Sequence, residues 1–231
     1  MEEHRLTVPR TARYYMLGGN AAGGGAQPAE AWIACHGYGQ LAARFLRGFE
    51  PVAGPERLVV APEALSRFYL DDALRVHGPD SRVGATWMTR EDRLAEIRDY
   101  VRYLDLVYDA VLGGAPGSAT RAVAFGFSQG AATASRWAAL GAARLDELIL
   151  WGGLLPPDLD LDAAARRWGG GVLRVTLVIG REDGFVPPER AAEEEARLRD
   201  AGVACQVVWF DGGHELRAET LREVAAAIGP G

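Results

Sequence analysis

The sequence predicts an α/β fold with a mostly parallel central sheet and helices on both faces. Short apolar runs rich in Val, Ile and Leu alternate with longer segments of helical period, which is the pattern of strand-helix-strand units. Most of the runs are continuously apolar, as strands covered on both faces must be. At 231 residues, 48% of them hydrophobic and 24% charged, the chain is long enough for one sizeable core and short for two, so a single domain over 1–231 is expected.

The first strand is expected at 12–17. The piece Gly18-Gly19-Asn20-Ala21-Ala22-Gly23-Gly24-Gly25 follows it, without the Lys-Ser/Thr ending of a phosphate loop and with Pro28 where a helix should begin. It reads as a flexible hairpin connection. A strand at 31–35, a helix at 41–49 and a strand at 58–61 come next. A helix at 90–112 is marked by Leu94, Ile97, Val101, Leu104, Val107 and Val111 at three- and four-residue spacing. Thr89 with Asp92 three residues on reads as its cap, and Gly113-Gly114 as its end. Strands at 122–127, 148–151, 172–179 and 206–210 follow, with helices at 129–140, 188–201 and 217–228. Pro188 suits a helix start because its missing N–H has no partner there anyway.

Residues 63–87 and 152–171 resist this scheme. Long irregular connections in compact domains often carry binding elements. Phe68, Tyr69 and Trp87 in the first, with Leu154 and Leu155 in the second, are therefore the expected substrate-pocket linings, ordinary core being the alternative.

The net charge of -6, with arginines interleaved among acids as in Arg90-Glu91-Asp92-Arg93, excludes a basic face for nucleic acid. The opening Met1-Glu2-Glu3-His4-Arg5 has no apolar signal segment, and no apolar run approaches the roughly 18 residues that cross a bilayer. A cytoplasmic protein without stable membrane insertion is expected. Cys35 and Cys205 sit in apolar runs and read as two reduced, buried thiols. No His/Cys/Asp cluster has metal-ligand spacing, so neither metal nor organic cofactor is expected. The oligomeric state is not written in the sequence.

Chemistry concentrates at Gly126-Phe127-Ser128-Gln129-Gly130. A serine on a tight strand-to-helix turn adopts a strained conformation, and flanking glycines remove the side chains that would obstruct it. The strand-like 121–125 and the helix-like 131–137 supply that context, the alternative being a serine that merely caps the helix. A serine nucleophile needs a base. Of four histidines, His4 lies at the terminus, His77 in an irregular stretch, and His36 reads as a buried histidine satisfied by backbone hydrogen bonds. His214 follows the final strand, where the base belongs in the chain order serine, acid, histidine. In Gly180-Arg181-Glu182-Asp183-Gly184-Phe185-Val186-Pro187, Asp183 is the favoured acid; Glu182 is its nearest competitor, and Asp211 lies too close to His214 in sequence. Oxyanion donors are expected from the backbone N–H groups of Tyr38, in Cys35-His36-Gly37-Tyr38-Gly39, and of Gln129, the residue after the serine.

Those four motifs in that order, spanning about residues 31–230, resemble the phospholipase/carboxylesterase family, which includes the acyl-protein thioesterases. The resemblance implies the α/β-hydrolase fold with little or no cap domain. It further implies hydrolysis of small-molecule carboxylic esters or thioesters through an acyl-enzyme, with Ser128 as nucleophile, Asp183 as acid, His214 as base, and Tyr38 and Gln129 as oxyanion donors. One departure bears on substrate: the family's Trp-Phe/Tyr-Asp element before the long helix is replaced by Phe68-Tyr69-Leu70-Asp71-Asp72 and, later, Trp87-Met88. Rival readings are related chemistry on the same three residues, such as peptide or lactone hydrolysis or perhydrolysis, and a silent ligand-binding module.

Overall fold

A computed structural model of the chain describes residues 1–19, 27–71, 76–113, 120–169 and 173–229. Its strands are β1 (Tyr14–Gly18), β2 (Glu30–Cys35), β3 (Arg57–Pro62), β4 (Ser66–Tyr69), β5 (Val83–Thr86), β6 (Arg121–Phe127), β7 (Glu147–Trp151), β8 (Arg174–Gly180) and β9 (Cys205–Phe210). The α-helices are α1 (Ala42–Leu46), α2 (Arg93–Leu112), α3 (Gln129–Leu140), α4 (Leu161–Arg167), α5 (Pro188–Asp200) and α6 (Ala218–Ile228). Seven strands form one sheet in the order β1-β3-β2-β6-β7-β8-β9, parallel except for β1.

The central strands are buried along their whole length, and successive residues face opposite layers. In β2, Ile33 and Cys35 join the cluster under α2 and α3, while Trp32 and Ala34 join the cluster under α1 and α6. The second cluster is aromatic: Trp32 stacks on Phe125 at 6.1 Å, and Phe49 meets Phe125 edge-on at 5.0 Å. Cys35 pairs in register with Gly126, Phe127 with Trp151, and Gly180 with Phe210. The chain therefore leaves β2, β6, β7, β8 and β9 along one edge, the carboxyl edge where ligands of open parallel sheets sit.

Several expectations change. The segment after β1 is no hairpin connection, because β1 pairs with β3 and not with β2; residues 20–25 of the glycine-rich piece lie outside the described residues, as do Gly114 and Val172. The predicted helix over 41–49 divides into α1 and a 3-10 turn, Arg47–Phe49. Helix α2 begins three residues late and without the expected cap. Asp92 takes a left-handed conformation with φ 42° and makes no capping bond, while the Thr89 N–H donates to Glu96 at 2.6 Å. The stretch 63–87 contains the antiparallel pair β4–β5, and 152–171 contains α4, which Asp160 caps by accepting the Ala163 N–H at 2.9 Å. Both cysteines are free thiols; Cys35 is buried, but Cys205 lies on edge strand β9 and is only half-buried. Burial pushes both thiols up, Cys205 to about 12, so neither is an available thiolate. Among the described residues no helix is long and apolar enough to cross a membrane.

Candidate active site

Ser128 stands between β6 and α3 with φ 55° and ψ -118°, one of two described non-glycine residues with positive φ. That conformation is costly for a residue with a Cβ, and the neighbours make it possible. A Cβ on Gly126 would lie 2.2 Å from the Gly130 carbonyl oxygen, and one on Gly130 would lie 2.0 Å from the Cys35 oxygen. Only glycines let α3 start this close to β2 and β6. The Ser128 N–H donates to the Trp151 carbonyl at 2.9 Å, and its carbonyl accepts from Ala131 at 2.9 Å. Its side chain makes no capping bond, so helix capping does not account for the serine.

Asp183 and His214 come together across the ends of β8 and β9. Asp183 Oδ2 lies 2.8 Å from His214 Nδ1, and Asp183 Oδ1 accepts the N–H groups of Phe185 at 2.8 Å and Val186 at 3.2 Å. The carboxylate is sealed from solvent, whereas the imidazole is 20% exposed. Glu182 N–H donates to Gly212, and Arg181 N–H to Phe210, lacing the two loops together. Trp151 Nε1 braces the histidine loop from below through the Glu215 carbonyl at 2.8 Å. Of the competing acids, Glu182 is exposed and Asp211 pairs at the surface with Arg181.

The serine adjoins this pair through Gly152 and Gly153. A Cβ on Gly152, where φ is +58°, would stand 3.0 Å from the His214 ring and 3.3 Å from Asp183 Oδ2; one on Gly153 would stand 2.8 Å from the Ser128 carbonyl oxygen. Phe127 packs its ring 5.0 Å from that of His214. The structure thus makes the histidine-aspartate hydrogen bond, while among the described residues the Ser128 hydroxyl has no bond to the imidazole. Before substrate arrives such contacts are commonly long.

The segment after β2 borders the serine, since a Cβ on Gly37 would lie 3.3 Å from the Ser128 Cβ. Gln40 Oε1 accepts the Gly37 N–H at 2.8 Å, and Gly39 and Gln40 bond Ala85 of β5. Among the described residues the backbone N–H groups of Tyr38 and Gln129 are bound to no partner. The Gln129 side chain is committed elsewhere: it donates to Thr86 Oγ1 and Met88 O at 3.0 Å and accepts from Trp87 N–H at 3.2 Å. His36 is buried, with Nδ1 donating to the Gly37 carbonyl at 2.8 Å and Nε2 accepting the Ala64 N–H at 3.1 Å, the satisfied backbone role expected. Burial holds its pKa below the usual histidine value against the opposing Gly37 bond.

The expected pocket linings divide. Phe68 meets the 62%-exposed Tyr38 with ring centroids 5.2 Å apart and planes inclined at 36°, Tyr69 is half-exposed, and Leu154 is partly buried. Trp87, 2% exposed, and Leu155 belong to the core, Trp87 donating through Nε1 to the His36 carbonyl at 2.8 Å. A cavity of about 250 Å³ opens beside Gly39 and Gln40, walled by Leu41, Phe45, Leu70 and Val83 with Arg44. Sequence reasoning missed Gly152 and Gly153 and the two rings beside His214; a Gly-Gly pair directly after a buried strand was the available signal.

The serine hydrolase (FSH1) family model matches residues 36–219. Among solved structures, the acyl-protein thioesterase 2 of Zea mays superposes with a TM-score of 0.67 at 17% identity, over 94% of this chain and 98% of that one. The Bacillus cereus carboxylesterase gives 0.62 at 15%, over 94% and 92%. A phospholipase/carboxylesterase from Dyadobacter fermentans gives 0.62 at 18%, over 96% and 98%. A search of the curated proteins finds no match. The likeness establishes the expected α/β-hydrolase fold, with no cap domain among the described residues.

Proposed function

The chain belongs to the serine hydrolase (FSH1) family, and from that membership we propose that it hydrolyses carboxylic esters or thioesters through an acyl-enzyme on Ser128. The observation that supports this most is the 2.8 Å bond between His214 Nδ1 and a solvent-sealed Asp183, next to a serine strained at the start of α3. Asp183 holds the imidazole with Nδ1 protonated, which leaves Nε2 free to act as base. Ser128 Oγ attacks the substrate carbonyl carbon and its proton passes to Nε2. Charge collecting on the carbonyl oxygen is met by the N–H groups of Tyr38 and Gln129, which bond no partner among the described residues. As the tetrahedral intermediate collapses, Nε2 returns the proton to the departing alcohol or thiol. Water then repeats the two steps on the acyl-enzyme, releasing the acid and restoring Ser128.

The test is labelling of the folded protein with a fluorophosphonate and mapping of the adduct. Modification of Ser128, abolished in His214→Ala, is the expected result. Labelling at another serine, or none, overturns the mechanism.

A further inference from the structure

Phe185 is 79% exposed, yet its ring centroid lies 4.6 Å from that of His214 with the planes inclined at 50°. Phe127, itself buried, meets the same imidazole at 5.0 Å. One aromatic therefore backs the histidine from the core and the other stands at its solvent side. What fixes Phe185 is not burial of its own ring. Its backbone N–H donates at 2.8 Å to Asp183 Oδ1, while Asp183 Oδ2 bonds His214 Nδ1 at 2.8 Å. One carboxylate thus anchors both the imidazole and the backbone of the residue whose ring rests on it, and the three residues form a closed unit.

We propose that Phe185 is a positioning residue for His214: its ring, together with that of Phe127, confines the imidazole in the orientation that keeps Nδ1 on Asp183 and Nε2 open to Ser128. This rests on the acyl-enzyme reading above. The contact also has a charge dependence. In each half-reaction His214 becomes an imidazolium, and an aromatic face attracts a cation more than a neutral ring. An interaction that strengthens as the transition state forms raises kcat rather than lowering KM. A side chain that only touched substrate would behave in the opposite way.

The experiment compares Phe185→Ala, Phe185→Leu and Phe185→Tyr on p-nitrophenyl acetate and p-nitrophenyl butyrate, with His214→Ala as reference. Because the ring is exposed, all three variants should unfold at the wild-type denaturant concentration. The Ala variant should lose kcat by about ten- to a hundred-fold, by the same factor on both esters and with KM little changed. Leu, which restores bulk without an aromatic face, should recover part of the loss, and Tyr nearly all. The second readout is the proton resonance of the His214 Nδ1–H, which should exchange faster with water in the Ala variant. A kcat within about two-fold of wild type in Phe185→Ala, or a loss that falls on KM and changes with acyl length, overturns the proposal. If His214→Ala itself stays active, the acyl-enzyme reading fails instead, so the two failures are told apart.

Discussion

The candidate acid was legible as a choice among three residues, and geometry separates them. Only Asp183 meets His214; Glu182 points to solvent and Asp211 pairs with Arg181. Asp183→Asn should therefore lower kcat on a p-nitrophenyl ester by on the order of 10³–10⁴-fold, since an amide supports the wrong tautomer. Glu182→Gln and Asp211→Asn should stay near wild type, and a comparable loss from either would reassign the acid. His36 carries a different consequence. Its Nε2 accepts a buried N–H, so protonation breaks that bond as well as charging a buried ring. With the folded pKa held below the free value of 6.5, the unfolded chain takes up the proton first as pH falls. Stability from this group is whole above about pH 6.5 and is lost progressively below it. Burial raises the carboxyls of Glu147 and Glu194, which work in the opposite sense, so the comparison must isolate His36. Denaturant midpoints of wild type and His36→Gln at about pH 7.5 and 5.5 do so, the expected result being a smaller acid loss in the variant.

At the scale of elements, the positions of Gly126 and Gly130 decide how close α3 lies to the sheet. A methyl on Gly130 would meet the Cys35 backbone at 2.0 Å, and backbone cannot swing aside as a long side chain can. Gly130→Ala should cost about 1–3 kcal/mol and, by pushing α3 outward, misalign the Gln129 N–H and cut turnover. Full turnover together with an unchanged urea midpoint would show that the helix has room to spare. The same physics explains what could be read beforehand. Strands such as β6 and β8 bury both faces and so announce themselves as continuous apolar runs. Helix α3 was readable to the residue because a glycine-flanked serine marks its start and Gly141 its end. β4 and β5 were not, since four residues each, with Gly84 packed against the Gly39 backbone, show neither period. Helix α4, at seven residues, is too short to display an apolar stripe. The pairing of β1 with β3 rests on long-range contacts that no local pattern encodes. Likewise the candidate residues Ser128, Asp183 and His214 could be named from chain order, but Phe127 and Phe185 looked like any aromatic beside a motif until their rings were seen 5.0 and 4.6 Å from that of His214.

The whole molecule separates chemistry from anchorage. The candidate site residues lie at the carboxyl edge of the sheet, and the opposite edge carries a ladder of ion pairs, with buried glutamates, that follows strand order from β3 to β8. Arg57 bonds Glu30 at 2.6 Å, Glu30 meets Arg121 at 3.3 Å, Arg121 meets Glu147 at 2.9 Å, and Glu147 meets Arg174 at 3.1 Å. Arg57 and Arg121 also donate to the carbonyls of Ala225 and Ile228, which binds the last turn of α6 to the ladder. Since α6 follows the His214 loop, this edge fixes the far end of the helix that continues from that loop. Glu30, 1% exposed at its side chain, balances two arginines that are themselves mostly buried. Removing one partner of such a network strands the others, at a cost of about 3–5 kcal/mol. Glu30→Ala should therefore unfold at a clearly lower temperature. Yet Glu30 lies six residues before His36 along an extended strand, roughly 20 Å from the site at about 3.3 Å per residue. At a temperature where the variant remains folded, kcat should stay within about two-fold of wild type. A fall in kcat without a fall in melting temperature would show that the ladder tunes the site directly instead of holding up the sheet beneath it.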